Sequence, residues 1–199
     1  MALTPPGTAT TRRSVQRIAR ECVPALADFC IVHLFAGTSM PCVAGAHTTS
    51  DGTRHIRALL RSHRVERNDP HSTVAHVVRT KRAMLRTGIQ PETLQRRTSH
   101  DEDEFAELHR LLAPRSALVV PIMGIVSRTE AVLGVLTLCY SHSGRSYAPG
   151  DIPAARRRAD QIARVLQPAG PAADSPRDGA PARAPGQRTL VRRRLPLRH

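Results

Sequence analysis

The feature that most constrains the fold is an unbroken apolar run at residues 131–140, AVLGVLTLCY, which gives way to a polar stretch, SHSGRS. A strand with one face in water alternates apolar and polar side chains, and this run does not. It therefore predicts a central strand with other elements packed on both of its faces. Gly134, inside the run, indicates a place where another group packs close to the backbone.

The rest of the chain predicts further strands and helices. Strand-like segments at residues 29–35 and 42–48 are separated by a turn-rich stretch and predict a hairpin. Other strands are expected at 84–85 and at 116–122, the latter closed by Pro121. Five helices are expected. The first has an apolar stripe through Val15, Ile18 and Cys22 and closes near Pro24. Another begins at the capping box of Ser99 and Glu102 and has Leu111 and Leu112 in its buried stripe. The others are expected at residues 56–64, 72–79 and 151–167.

This order of elements predicts the α+β class, with a central antiparallel sheet and helices on both faces. The terminal helices would cover one face and the middle segment the other. Residues 1–12 are expected to be a disordered lead-in and residues 13–167 the folded domain. Residues 168–199 are expected to be a disordered tail rich in Pro, Ala and Arg, because such a composition buries too little apolar surface to offset the entropy of ordering.

The formal charge of +14 does not predict a specific nucleic-acid partner. Arginine supplies 29 of the 30 basic residues and is concentrated at the two ends, and only 3% of the chain is aromatic. Nucleic-acid sites concentrate charge on one surface, often with stacking aromatics. The sequence shows no run long enough to span a membrane and no secretory signal. Its four cysteines form no CxxC pair, so we expect buried thiols in a reducing cytoplasm.

Several stretches resemble the signature of GAF domains. They are SALVVPI at 116–122, VLGVLTL at 132–138, SGRSYAPGDI at 143–152 and PHSTVAHVVRT at 70–80. The resemblance covers roughly residues 14–166. Within the family, the chain resembles GAF modules found upstream of sporulation-type serine/threonine phosphatases in bacteria. It departs from the family where Lys81 replaces a helix-ending glycine and where Ala113 and Pro114 replace a glycine-containing turn.

The resemblance implies a cytoplasmic sensory module of PAS-like architecture that binds a small molecule between the sheet and the middle helices. It also implies a homodimer through the terminal helices and a signalling partner of phosphatase or kinase type. No residue identifies a ligand, so cofactor-binding residues stay unknown and no cofactor is predicted. The alternative is a protein-interaction remnant of a GAF-phosphatase regulator, without any ligand.

No enzymatic activity and no catalytic residues are predicted. The GAF branch that reduces free methionine sulfoxide uses cysteines in the middle of the domain, and residues 43–138 contain none. A metal site is not predicted either, because His100 and Glu104, four residues apart, suit a solvated helix face. The histidines that recur every eight residues fit no single face, and we interpret their spacing as coincidence: His47, His55, His63 and His71.

Overall fold

The computed structural model describes residues 9–90 and 111–167 of the chain. Within them the strands pair antiparallel in a six-stranded sheet of order β3-β2-β1-β6-β5-β4. The strands are β1 (Phe29–Leu34), β2 (Ser39–His47), β3 (Arg64–Glu66), β4 (Met84–Arg86), β5 (Ser116–Val126) and β6 (Thr129–Tyr140). The apolar run therefore lies in a central strand, flanked by β1 and β5, as predicted.

Helices cover both faces of this sheet, which confirms the predicted fold class. They are α1 (Ala9–Glu21), α2 (Ser50–Ser62), α3 (Thr73–Thr80) and α4 (Ile152–Leu166), the last preceded by a 3-10 turn at Pro149–Asp151. We call the face under α1 and α4 the terminal-helix face and the face under α2 and α3 the middle-segment face. None of the helices in the described ranges is both long and apolar enough to cross a bilayer.

The terminal-helix face holds one continuous apolar core. Its helical members are Val15, Ile18 and Ala19 from α1 and Ala155, Ala159 and Ile162 from α4, packed on Val32, Leu118, Leu136 and their neighbours. The middle-segment face differs, because its buried side chains form two separate clusters. The α2 cluster contains Phe29, Ile31, Cys42, Ile56, Leu59, Leu112, Ala117 and Cys139. The α3 cluster contains Phe35, Met40, Val65, Ala75, Val77, Val78, Val119, Val132 and Val135.

Gly134 on β6 pairs with Leu34 on β1 and leaves no room for a side chain. A Cβ atom there would sit 2.2 Å from the carbonyl oxygen of His33 and 2.6 Å from Cδ2 of Leu34. Both distances are far inside van der Waals contact, so no larger residue fits without separating the strands. The predicted close approach at this glycine is confirmed.

The predicted bounds of two elements, α2 and β5, were wrong. α2 begins at Ser50 rather than at residue 56, because Thr49 caps it by accepting a hydrogen bond from the Gly52 N–H at 3.1 Å. A side chain at position 52 would overlap the His47 ring, so the first turn has room only for glycine there. The helix stops at Ser62, and the next residues form edge strand β3 against β2.

β5 also runs beyond its predicted end at Pro121. The pairing of β4 with β5 reaches only as far as Val119, so β6 alone flanks the strand at Pro121. A proline is tolerated on such an open edge because its missing N–H would have bonded to no neighbouring strand.

The two positions that depart from the family pattern keep a glycine-like backbone. Lys81 ends α3 with φ 56° and ψ 21°, and its N–H donates to the carbonyl of Val77. Ala113 has φ 41°. Both therefore adopt the left-handed conformation that glycine reaches without steric cost.

The polar stretch after β6 is held to the start of β1. The buried Asp28 carboxylate accepts hydrogen bonds from the N–H groups of Ser141 at 2.7 Å and Ser143 at 2.9 Å. Tyr147 stacks on Tyr140 and donates its hydroxyl to the carbonyl of Leu26 at 2.7 Å. These contacts give the family-like SGRSY stretch a structural role.

The start of the helix predicted from the Ser99 and Glu102 capping box lies outside the described residues, as do His100, Glu104 and the tail from residue 168. α1 begins at Ala9, earlier than the predicted domain start at residue 13. Leu112 is buried as predicted. The prediction for Leu111 was wrong, because this side chain is 52% exposed.

Candidate functional site

The candidate site is the seam between the α2 and α3 clusters on the middle-segment face. On β1 the residue between Ile31 and Phe35 on this face is His33, and these two neighbours belong to different clusters. On β6 the corresponding residue is Thr137, between Cys139 and Val135. The apolar layer is thus interrupted by a polar side chain on two adjacent central strands.

His33 is 3% exposed, and neither of its ring nitrogens has a hydrogen-bond partner among the described residues. Its ring meets that of His63 edge to face, with centroids 5.3 Å apart. Burial, together with the nearby His63, lowers the pKa of His33 to about 3. The imidazole is therefore neutral at physiological pH and offers one donor and one acceptor.

Thr137 has a buried Oγ1 atom that also lacks a partner among the described residues. In the register of the sheet Thr137 pairs with Ile31 and His33 pairs with Val135, so the two polar residues are diagonal neighbours, about 7–8 Å apart. Thr137 as a whole is only half-buried, although β6 is a central strand. The described side chains therefore do not fill the seam beside it.

A second feature is an open groove of about 430 Å³ at the end of the middle-segment face, where β2 and β6 end and α2 begins. Its lining residues are His47, Thr49, Asp51, Gly52, His55, Leu111, Leu112, Ala113, Arg115, Ser141, His142 and Gly144. Phe29, His47 and His142 form a stack of three rings with successive centroids 5.7 Å apart. The groove and the seam are distinct, since His33 lies four residues, about 13 Å, along β1 from Phe29.

The hydrogen bonds around this stack define the state of its histidines. Nδ1 of His47 accepts from the Thr49 N–H at 2.9 Å, so the imidazole is neutral and carries its proton on Nε2. Burial and the neighbouring His142 lower the pKa of His47. Burial alone would raise the pKa of Asp28, but the bonds from Ser141 and Ser143 and the nearby His142 together lower it. A carboxylate therefore stays ionised beneath the groove.

All four cysteines are buried, as predicted, and unpaired. Cys42 and Cys139 lie in the α2 cluster, and burial raises the pKa of Cys42 to about 12 and that of Cys139 even further. On the opposite face Cys22 donates to the Ile18 carbonyl and Cys30 to that of Ala19. A hydrogen bond with Cys30 lowers the pKa of Cys22, a side chain with no exposed surface.

A comparison of the sequence with models of known families matches the GAF domain over residues 11–166. The chain belongs to the GAF domain family. GAF domains are typically signalling and sensing modules, and many bind small ligands. A comparison with curated protein sequences finds no match.

Solved structures, GAF domains among them, share the fold at low sequence identity. The GAF-B domain of DevS from Mycobacterium smegmatis is 16% identical, with a TM-score of 0.53 over 79% of this chain and 93% of that one. The GAF domain/HD domain protein from Geobacter sulfurreducens is 15% identical, with a TM-score of 0.52 over 79% and 90%. Residues 122 to 287 of a methyl-accepting chemotaxis protein are 13% identical, with a TM-score of 0.55 over 78% and 88%.

The sequence did not reveal the polar residues that the GAF fold brings together. His33 and Thr137 lie inside apolar strand patterns, and only the pairing of β1 with β6 makes them neighbours. The eight-residue histidine spacing, interpreted above as coincidence, places His47 and His55 on one groove and His63 against His33. Among the described residues, no cluster of three or more His, Cys, Asp or Glu could hold a metal ion.

Proposed function

We propose that this chain is a non-catalytic regulatory GAF domain that senses a small molecule bound in the seam. The observation that carries the proposal is the pair of buried polar groups, His33 and Thr137, that have no partner among the described residues. Leaving a buried donor or acceptor unpaired costs about 1–3 kcal/mol. A ligand that hydrogen-bonds to both side chains would recover part of that cost, and the recovered free energy would favour binding.

The buried thiols support a role without catalysis. A cysteine nucleophile reacts as the thiolate, and low pKa together with exposure is what makes a cysteine reactive. Cys42 and Cys139 are the cysteines on the middle-segment face, and burial raises the pKa of both. This argues against the methionine sulfoxide reductase alternative. Four unpaired, buried cysteines also agree with a protein of the cytoplasm.

Signal transfer through the terminal helices is the second part of the proposal. The residue after α4, Gln167, forms two hydrogen bonds with the backbone of Ile125 on β5, one of them from the Ile125 N–H at 2.8 Å. This contact connects the end of the helix to a strand that also contributes to the middle-segment face. A change in that strand on ligand binding would therefore reach α4 and a phosphatase- or kinase-type partner beyond it.

We also propose that α1 and α4 form a homodimer interface. Their apolar stripes pack on the sheet, and their outer sides carry mainly charged residues, Arg12, Arg13, Arg17, Arg156, Arg157 and Arg164 with Glu21 and Asp160. Such an interface would be polar, and higher salt should strengthen it by screening repulsion between the arginines. Sedimentation at several salt concentrations tests this, and a monomer at all of them would contradict it.

The ligand proposal is tested by screening a metabolite library for thermal stabilisation of the purified protein. A compound that uses the seam should stabilise the wild type and lose most of this effect in Thr137→Val, which removes the hydroxyl but keeps the shape. Thr129→Val, at an exposed position of the same strand, is the matched control. If compounds stabilise all three proteins equally, or none stabilises the wild type, the ligand proposal is wrong and the protein-interaction alternative gains support.

A further inference from the structure

The groove at the end of the middle-segment face has two chemically different walls. One is apolar and is formed by Leu111, Leu112 and Ala113. Leu111 and Ile125 are the large hydrophobic side chains that stand exposed among the described residues, so the exposure of Leu111 on a concave surface is unusual for this protein. An apolar wall of this kind favours a ligand with a hydrocarbon portion.

The rest of the lining includes cationic and donor groups. The guanidinium of Arg115 has no hydrogen-bond or ion-pair partner among the described residues, although the Arg115 backbone joins Tyr140 and Ile89. His55 and His142 line the same space, and His47 keeps its proton on Nε2. Arginine presents a planar set of donors that matches a carboxylate.

The acidic groups nearby are already engaged. Asp51 forms an ion pair with Arg54 at the start of α2. Asp28 lies beneath the groove, where two backbone N–H groups hold its carboxylate. Arg115 therefore remains the unpaired permanent charge on the described lining of the groove.

We propose that this groove binds a small organic anion with an apolar portion, such as a short-chain carboxylate. The carboxylate of the ligand contacts Arg115 and the histidines of the lining, and its hydrocarbon portion packs on Leu111 and Leu112. A volume of about 430 Å³ lies within the usual range for small-molecule sites. The lining of the groove includes neither His33 nor Thr137, so this proposal can fail or hold independently of the function proposed above.

Nuclear magnetic resonance titration of the full chain with hexanoate tests this proposal. The backbone amides of Gly52 and Gly144, which line the groove, should shift with an apparent Kd of about 1 mM, as expected for a ligand of this size. The amide of Gly134, enclosed between β1 and β6, should not shift. Hexan-1-ol tests the need for charge, and inorganic phosphate tests the need for an apolar portion.

Variants of two arginines locate the charge contact. Arg115→Gln should weaken hexanoate binding about fivefold or more, because it removes a charge-assisted hydrogen bond. Arg57→Gln, exposed on α2 and not part of the lining, should leave the affinity unchanged. If Arg115→Gln does not fold, as judged by its melting temperature, His55→Ala replaces it and should also weaken binding, because it removes a ring that lines the groove.

Equal binding of hexan-1-ol or phosphate, no binding of hexanoate at about 20 mM, or unchanged affinity in the folded arginine variant would each overturn the proposal.

Discussion

Replacing His33 with phenylalanine should increase the stability of the ligand-free protein. The substitution keeps an aromatic ring that can meet His63 edge to face, and it removes two buried nitrogens that lack partners among the described residues. Since an unpaired buried polar group costs about 1–3 kcal/mol, we expect His33→Phe to raise the free energy of unfolding at pH 7 by about 1–2 kcal/mol. The slightly larger ring offsets part of the gain.

The pH dependence of stability gives the sharper result. His33 has a pKa of about 3 in the folded protein, against about 6.5 in the unfolded chain. Between these values the unfolded chain binds a proton that the native state does not, so stability falls as the pH falls. Within this range His33 changes the free energy of unfolding by up to about 1.4 kcal/mol per pH unit. The advantage of His33→Phe should therefore grow by about 2–3 kcal/mol between pH 7 and about pH 4.5.

Urea unfolding at several pH values, with extrapolation to water, measures both effects. His76→Phe is the matched control, because His76 is exposed on α3, and its stability should stay within about 0.5 kcal/mol of the wild type at pH 7. The reasoning is refuted if the wild type and His33→Phe lose stability in parallel as the pH falls. It is also refuted if His33→Phe is less stable than the wild type by more than about 1 kcal/mol at pH 7, because its nitrogens would then be partnered.

Three other substitutions test the fold by chemical denaturation. Gly134→Val should lower the free energy of unfolding by about 3 kcal/mol, because the new side chain would overlap β1. Gly150→Ala is the control and should change it little, because no atom lies near the added Cβ. A Gly134→Val variant as stable as the wild type would contradict the close packing. Lys81→Gly should gain about 0.5–1 kcal/mol by relieving a left-handed backbone, and Lys81→Ala should show no such gain. Asp28→Ala should cost about 2–3 kcal/mol by leaving the Ser141 and Ser143 N–H groups unpaired, and an unchanged midpoint would show that these bonds contribute nothing.

The sequence predicted those parts of the fold in which a long local pattern decides the structure. The run at 131–140 predicted elements packed on both faces of its strand, and buried apolar clusters lie on both faces in the structure. Lys81 and Ala113 both have a positive φ, which glycine reaches without steric cost and which local propensity disfavours for lysine and alanine.

Other elements depend on neighbours that no local pattern reveals. β3 is three residues long and exists as an edge strand beside β2, and the continuation of β5 through Pro121 depends on where β4 stops. The candidate site was missed for the same reason. His33 and Thr137 are single polar residues within strands, and their importance follows from burial without a partner, which appears only when the strands and helices are assembled.

Native mass spectrometry of the freshly purified protein detects a small molecule bound in the seam directly. We expect a wild-type mass increased by one noncovalently bound small molecule per chain, which is released on denaturation. His33→Phe should retain much less of it, while His76→Phe should retain as much as the wild type. An adduct of the same abundance in His33→Phe, or a wild type that carries none, would contradict the account.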